Sequence, residues 1–215
     1  MQQIYLGRIV AVAVTPGGRA AALYRVSSRS FPNRRAEIAP DGRSVAIVPK
    51  PGFEKDSGKN PYTAYNCARI ARGRAVLANG SHADPIAEKI LMGMPARDAL
   101  ALSLLAMDYE KDGHSTPRIA AVAEPEAKIG WLGTVREDGL DVRSFSLPPG
   151  TLIHLSTYGH HVPSSRRVSE FTAETASEAC EFIMGKGVFG QFSNPVAAVA
   201  AVRAGESFEL AALDG

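Results

Sequence analysis

The sequence has few cysteines, no long apolar run and little net charge. Its two cysteines, Cys67 and Cys180, cannot make a disulfide framework and do not form a C-x-x-C pair, so we expect packed thiols. No apolar run reaches the roughly 18 to 20 residues of a membrane span, and residues 1–14 carry no signal-peptide pattern. These absences predict a cytoplasmic protein with no membrane partner.

The net charge of +2 is too small to indicate nucleic-acid binding. With 45% hydrophobic residues and a mean hydropathy of -0.06, the composition is typical of a globular protein. A chain of 215 residues can bury one large core, and we expect a single domain over residues 1–215. Positive charge is concentrated around residues 25–35, which suits a small anionic ligand.

Metal and cofactor motifs are also missing. His160-His161 has no second pair of ligands at helix or strand spacing, which favours a polar loop over a metal site. Residues 185–190 match G-x-G-x-x-G by letter but follow a predicted helix instead of a strand, so the dinucleotide-binding context is absent. We therefore expect neither a metal nor a cofactor.

Alternation and turn signals predict blocks of strands, helices, strands and a helix, which is the pattern of an α+β protein. One helix is expected to begin with Asp84 as N-cap and Pro85 in its first position, and a second is expected to begin at Pro95. The end of the chain favours a hairpin, although Asn194-Pro195 could also cap a helix. The other predicted elements are a helix over 172–184 and strands over 4–14, 20–26, 45–48, 75–78, 119–123, 128–135, 140–145 and 152–157.

The most informative segment is YRVSSRSFPNR at residues 24–34, which holds three guanidiniums and three serine hydroxyls. An arginine fork matches two phosphate oxygens at once and hydroxyls add further donors, so the segment is suited to a phosphate. The same composition is also typical of a strand that runs out into a solvated basic loop.

Two further segments place polar residues at helix ends. Residues 79–84, NGSHAD, lead into a helix start, where free N–H groups and the dipole favour an anion, although a turn capped by Asp84 explains the same residues. Residues 108–112, DYEKD, place carboxylates at a helix C-terminus. Such charges are usually solvated, but the dipole disfavours them there, which suggests another use.

Four blocks in order resemble the archaeal-type IMP cyclohydrolase family: YRVSSRSFPNR (24–34), NPYTAYNC (60–67), NGSHADPIAEK (79–89) and LALSLLAMDYEKDGHSTPRIA (100–120). The similarity runs from residue 4 to residue 135 and continues more weakly to the end, and residues 136–170 match nothing that we can place. The resemblance implies a fold like that of N-terminal nucleophile hydrolases, a four-layer αββα sandwich of two stacked, mainly antiparallel sheets.

The resemblance also implies an activity, the last step of de novo purine biosynthesis. The carboxamide nitrogen of 5-formamidoimidazole-4-carboxamide ribotide (FAICAR) attacks the formyl carbon, and water leaves to give IMP. The resemblance implies the hydrolase class, which is named for the reverse reaction, the hydrolysis of IMP. The partners that it implies are the small-molecule substrate FAICAR and the product IMP. We further expect a homo-oligomer.

Ring closure needs a base for a poorly nucleophilic amide nitrogen and fixed donors for the formyl oxygen. Within the matched blocks, this chemistry assigns Glu110 as the base and Arg25 with Asn79 as donors to the formyl oxygen. Tyr62 is assigned as proton donor or orienter.

The substrate-binding residues are predicted in the same way. Arg29, with Ser27 and His82, is expected to hold the 5′-phosphate, and Asn33 with Asn66 to contact the carboxamide or the ribose. The full predicted set is Ser27, Arg29, Asn33, Asn66, Ser81, His82, Asp84 and Asp108.

Two other functions stay open at this point. One is a related amide hydrolase with an internal nucleophile such as Ser27 or Cys67. The other is a purine-nucleotide binding protein without turnover, although binding alone would not require Glu110 or Tyr62.

Overall fold

The computed structural model describes residues 3–56, 64–126 and 129–215, and within them the chain has an α+β fold. The three α-helices are α1 (Ala83–Leu91), α2 (Ala96–Met107) and α3 (Ala176–Gly185). The strands are β1 (Ile9–Val14), β2 (Ala20–Ser27), β3 (Arg34–Ile38), β4 (Ser44–Pro49), β5 (Tyr65–Ala71), β6 (Arg74–Ala78), β7 (Arg118–Ala123), β8 (Ile129–Arg136), β9 (Gly139–Ser146), β10 (Thr151–Ser156), β11 (Val168–Glu170), β12 (Pro195–Ala204) and β13 (Ser207–Asp214).

The strands form two sheets in which all neighbours are antiparallel. The first sheet has the order β11-β10-β1-β2-β12-β13, and the second runs β3-β4-β5-β6-β7-β8-β9 in chain order. The two sheets are stacked, with a shared apolar core between them. This arrangement confirms the predicted α+β class with two stacked antiparallel sheets.

Strand alternation explains how each sheet is buried on both faces. In β1, Val10, Val12 and Val14 point into the core between the sheets, while Ile9 and its alternate neighbours face the opposite side. Helix α3 packs on that opposite face of the first sheet, and α1 and α2 pack on the outer face of the second. Across the fold, the layers are therefore stacked in the order helix, sheet, sheet, helix.

The two sheets approach each other closely at Gly130, at the start of β8. A Cβ atom on Gly130 would lie 2.5 Å from Cβ of Val12 on the facing sheet, so only glycine fits there without displacing β1.

Two helices begin at different residues than predicted. Helix α3 begins at Ala176 and not at residue 172, because a capping box forms at Thr175. The Thr175 hydroxyl accepts a hydrogen bond from the Glu178 amide, and the Glu178 carboxylate accepts one from the Thr175 amide. Helix α1 begins at Ala83 with His82 as N-cap, so the prediction of Asp84 as N-cap was wrong. The Asp84 carboxylate instead accepts hydrogen bonds from β5, as described below.

The end of the chain forms the hairpin of β12 and β13, which confirms that prediction over the capped helix. Strand β3, in contrast, was not predicted, because its sequence RRAEI offers only two alternating apolar positions, Ala36 and Ile38, among charged residues. In the described ranges, none of the helices has the length and apolar character needed to cross a membrane.

Candidate functional site

A cleft of about 140 Å³ opens where the end of β2 meets three loops. These loops precede β1, follow α2 and follow β10. Among the predicted site residues, Ser27, Arg29 and Glu110 line it together. The complete lining is Tyr5, Gly7, Arg8, Ser27, Ser28, Arg29, Ser30, Phe31, Arg34, Glu110, Asp112, His114, Thr157 and Tyr158.

Glu110 is the buried carboxylate of the cleft, with only 1% of its side chain exposed. Its Oε2 accepts a hydrogen bond of 2.7 Å from Nη2 of Arg8. Its Oε1 lies 3.8 Å from Nη1 of Arg118 and has no hydrogen-bond partner in the described part of the chain. A buried carboxylate oxygen in that state is costly, and a ligand N–H would satisfy it.

The loop before β1 is fixed against the loop after β10. The Arg8 amide donates to Oγ1 of Thr157 at 3.1 Å, and the Thr157 amide donates to the Arg8 carbonyl at 2.9 Å. Gly7 has φ +69°, and a Cβ there would lie 2.2 Å from Thr157 Oγ1 and 2.8 Å from the Tyr158 ring. Glycine is therefore required at this position both for its conformation and for the close approach.

The rim of the cleft is rich in cationic and hydroxyl groups. The Arg29 guanidinium lies 4.2 Å above the Tyr5 ring, a cation–π contact that holds an exposed side chain over the cleft. Ser28 Oγ accepts the Phe31 amide at 2.9 Å, which shapes the loop that carries Arg29. Arg34 is buried, and its Nε donates to the Phe31 carbonyl at 3.1 Å.

The hydroxyl hydrogen of Tyr158 is already used in a hydrogen bond to another side chain. Oγ1 of Thr116 donates to Asp112 at 2.7 Å and lies 3.1 Å from the Tyr158 hydroxyl. Since the one Thr116 hydrogen goes to the carboxylate, Tyr158 must donate to Thr116. The lone pairs of Tyr158 are then the part of its hydroxyl that can accept a hydrogen bond from a ligand.

Arg25 lies outside the lining of this cleft, on the face of β2 that is covered by α3. It is fully buried and donates to five main-chain carbonyls, those of Ile183, Met184, Phe189, Phe192 and Ser193, at 2.8 to 3.3 Å. Its Nε donates to Ser27 Oγ at 2.9 Å. Burial lowers the pKa of Arg25 to about 10, so it stays cationic at neutral pH. Its contacts are those of a residue that joins β2 to the end of α3.

Asn79 and His82 are also outside the cleft lining and join β6 to β7. Asn79 is buried, donating to the Pro117 carbonyl at 3.0 Å and accepting the Ile119 amide at 2.7 Å. His82 Nε2 lies 3.0 Å from the Ile119 carbonyl, and burial together with Arg118 lowers its pKa to about 3. A neutral, buried imidazole carries no charge for a phosphate.

Stability is expected to fall as pH falls from 6.5 to 5 because two buried histidines must stay neutral in the fold. Burial lowers the pKa of His154 to about 3, as it does for His82, whereas the unfolded chain takes up protons near pH 6.5. Each histidine should then remove about 1.5 kcal/mol of unfolding free energy over this interval. Urea unfolding at the two pH values measures the loss. His154→Gln should flatten the slope, and an unchanged slope in that variant would contradict the prediction.

The other described members of the predicted set are not part of the cleft lining. Asp84 accepts hydrogen bonds from Asn66 at 3.1 Å and from Arg69, on the outer face of β5. The Asp108 carboxylate is 49% exposed and accepts from Lys111 and the Tyr109 amide. Ser81 is exposed, Asn33 is half-buried, and neither lines the cleft. Tyr62 lies outside the described residues.

Sequence reasoning missed several cleft residues, among them Arg8, Arg34, Asp112 and Tyr158. Asp112 belongs to the fourth matched block, so the block itself could have identified it. Arg8 is a single charge before an apolar strand and gives no such signal. Tyr158 lies in the stretch 136–170 that could not be matched, and that stretch contributes Thr157 and Tyr158 to the lining.

In the described ranges, no cluster of three or more His, Cys, Asp or Glu side chains is arranged so that it could hold a metal ion. The fold and the cleft define an α+β protein with a cationic, hydroxyl-lined site that has one buried carboxylate at its floor.

Known proteins resemble this chain along almost all of its length. A family model described as IMP cyclohydrolase-like protein matches residues 5–207. An IMP cyclohydrolase of Methanosphaera stadtmanae is 46% identical over 92% of this chain and 94% of the relative. One of Methanocella arvoryzae is 45% identical over 99% of both chains, and one of Halobacterium salinarum is 47% identical over 82% of both. The chain belongs to the IMP cyclohydrolase-like family.

Proposed function

We propose that this protein is an IMP cyclohydrolase that closes the ring of FAICAR. A single bond forms between the carboxamide nitrogen and the formyl carbon, and the formamido C–N bond becomes a double bond. Both bonds of the formyl C=O break, and the oxygen leaves as water. Each of the two nitrogens gives up one proton to that oxygen, so the reaction needs proton transfer and no redox partner. The carboxamide and formyl groups sit on one ring, so holding them in contact supplies much of the catalysis.

The observation that carries the proposal is the pairing of chemistries in one cleft. A buried carboxylate, Glu110, lies at its floor, and guanidinium and hydroxyl groups lie at its rim. The carboxylate suits proton removal from the amide nitrogen, and the rim suits a phosphate. FAICAR, a ribotide, carries both the amide nitrogen and the phosphate on one molecule.

Glu110 is the base in this proposal, and Arg29 holds the 5′-phosphate with the hydroxyls of the 27–30 segment. The donors of Arg25 and Asn79 are bonded to main-chain groups, so a different residue must stabilise the formyl oxygen. Arg34 is the buried guanidinium of the cleft with no ion-pair partner in the described ranges. We assign the stabilisation of the formyl oxygen to the Arg34 guanidinium. Tyr62 stays a predicted proton donor or orienter.

An amide hydrolase with an internal nucleophile is less consistent with the contacts. Ser27 Oγ accepts from Arg25 Nε, and an arginine cannot take the proton that an attacking hydroxyl must lose. Cys67 is fully buried, its Sγ donates to the Val45 carbonyl, and burial raises the pKa of its thiol. A thiol in this state is not a nucleophile.

Cys67→Ala should keep at least about a tenth of the activity, a loss of no more than about 1.4 kcal/mol in barrier height. The thiol packs in the core between the sheets and takes no part in ring closure. Steady-state kinetics on the folded variant measures this. A loss of more than about a thousandfold would instead favour covalent catalysis by Cys67.

Arg29→Ala should mainly raise KM, by about tenfold, because a hydrogen bond to a charged group contributes about 1.5 kcal/mol. The phosphate is held equally in the ground and transition states, so kcat should change little. Kinetics over a range of FAICAR concentrations separate the two constants. A fall in kcat at unchanged KM would place Arg29 in the chemistry.

The direct test is to incubate the purified protein with FAICAR and follow IMP by its ultraviolet spectrum, with EDTA in a parallel sample. IMP formation in both samples supports the proposal and the predicted metal independence. Binding of IMP without turnover would instead identify a purine-nucleotide binding protein.

The same proposal has four further parts. They are a single domain, a sandwich related to N-terminal nucleophile hydrolases, a homo-oligomeric state and a cytoplasmic location.

A further inference from the structure

Arg8 forms the tightest ion pair inside the cleft, and nothing in the sequence marked it. Its Nη2 lies 2.7 Å from Glu110 Oε2, and the two side chains are 12% and 1% exposed. Burial opposes the charge on Arg8, but Glu110 together with Tyr65 and Tyr24 outweighs that effect, and the pKa of the guanidinium is raised. A buried pair of this kind survives only where its geometry is tightly held, because both ions lose their hydration.

The fold holds Arg8 in place from both sides of its backbone. The two hydrogen bonds with Thr157 fix its amide and its carbonyl, and the lack of a side chain on Gly7 lets the loop lie directly against Thr157. These contacts fix the main chain of Arg8 at the place from which its guanidinium reaches Glu110.

The groups around Arg8 leave Glu110 as its charged partner. The hydroxyls of Tyr24 and Tyr65 lie 2.6 Å apart, and burial raises the pKa of both, so they stay protonated. Arg118, on the other side of Glu110, donates its Nε to the Asp108 carbonyl at 2.8 Å. Two cations thus flank a single carboxylate.

The two oxygens of Glu110 are consequently different. Oε2 is occupied by Arg8, whereas Oε1 has no hydrogen-bond partner in the described ranges. Resting on the function proposed above, we propose that Arg8 is a positioning residue: by holding Oε2 it fixes the orientation of the carboxylate and leaves Oε1 as the oxygen that accepts the substrate's amide proton.

Arg8→Met and Arg8→Lys test this role. Methionine keeps the apolar stem and removes the donors, so the Glu110 carboxylate loses the partner that holds Oε2. We expect Arg8→Met to lower kcat at least about a hundredfold with KM within about threefold. Arg8→Lys, which keeps a charged donor, should restore part of kcat. A purely structural role would reduce the folded fraction and leave kcat per folded molecule unchanged, and that result overturns the proposal.

A measurement without turnover separates this inference from the proposed function. Carbon-13 NMR of the glutamate carboxyls, with the Glu110 signal assigned by its loss in Glu110→Gln, reports the surroundings of that carboxylate directly. Arg8→Met should move the Glu110 signal because its hydrogen-bond donor is lost, and an unmoved signal overturns the pairing role. If the parent protein fails to close FAICAR while the signal still moves in Arg8→Met, the proposed reaction is wrong and the pairing stands. If Arg8→Met does not fold, Arg8→Lys and Arg8→Gln, which keep donors, carry the same comparison.

Discussion

Glu110→Gln is expected to lower kcat by roughly 10² to 10⁴ and to leave KM within about threefold. A general base acts only as the barrier is crossed, so its loss should appear in kcat and not in substrate binding. Glutamine has the shape of glutamate, and its side-chain oxygen can still accept the hydrogen bond from Arg8. The substitution therefore removes the basic group while the floor of the cleft keeps its packing.

Steady-state kinetics and a folding check on the purified variant provide the measurement. Glu181→Gln is a matched control, because that carboxylate is 53% exposed on α3, pairs with Lys186 and lies outside the cleft lining. The control should retain kcat within about threefold, as a surface pair contributes little. If Glu110→Gln also keeps a near-normal kcat, Glu110 has no part in the chemistry, and Asp112 becomes the remaining carboxylate of the cleft.

The layered fold could be predicted from the sequence because its strands carry their own signals. Alternating apolar residues and turn residues marked β1, β2 and the hairpin of β12 and β13. Strand β3 carried no such signal, since its arginines and glutamate lie at a sheet edge and pair only with β4. Local pattern predicts a strand where one face carries several apolar residues, and it fails for a short edge strand such as β3, where Ala36 alone packs against the core.

The site was predictable only in part, because its polar residues have distant partners. The block 24–34 drew attention to Ser27 and Arg29, and the structure places both in the lining of the cleft. Asn79 and His82 looked like ligand-binding residues because the β7 main chain that satisfies them lies about forty positions further along the chain. A sequence pattern cannot show which polar groups are already bonded inside the fold.

Arg25 illustrates the same limit more strongly. Alternation along β2 places Arg25 and Tyr24 on opposite faces, but it does not say which face holds the cleft. Tyr24 faces the core between the sheets, and Arg25 faces α3, where the last carbonyls of the helix need donors. The chemical type of the residue suggested catalysis, whereas its position is that of a helix-end partner.

Arg25→Met is accordingly expected to destabilise the fold by at least about 3 kcal/mol, because several buried carbonyls lose their donor together. Ile183 and Met184 lie in the last turn of α3, where a cation is also favoured by the helix dipole. Urea unfolding monitored by circular dichroism measures the change. Arg25→Lys keeps the charge and three donors, so it should lose clearly less stability than Arg25→Met. An Arg25→Met protein that unfolds within about 1 kcal/mol of the parent but has lost kcat would return Arg25 to the formyl oxygen, because buried carbonyls left without donors could not be tolerated so cheaply.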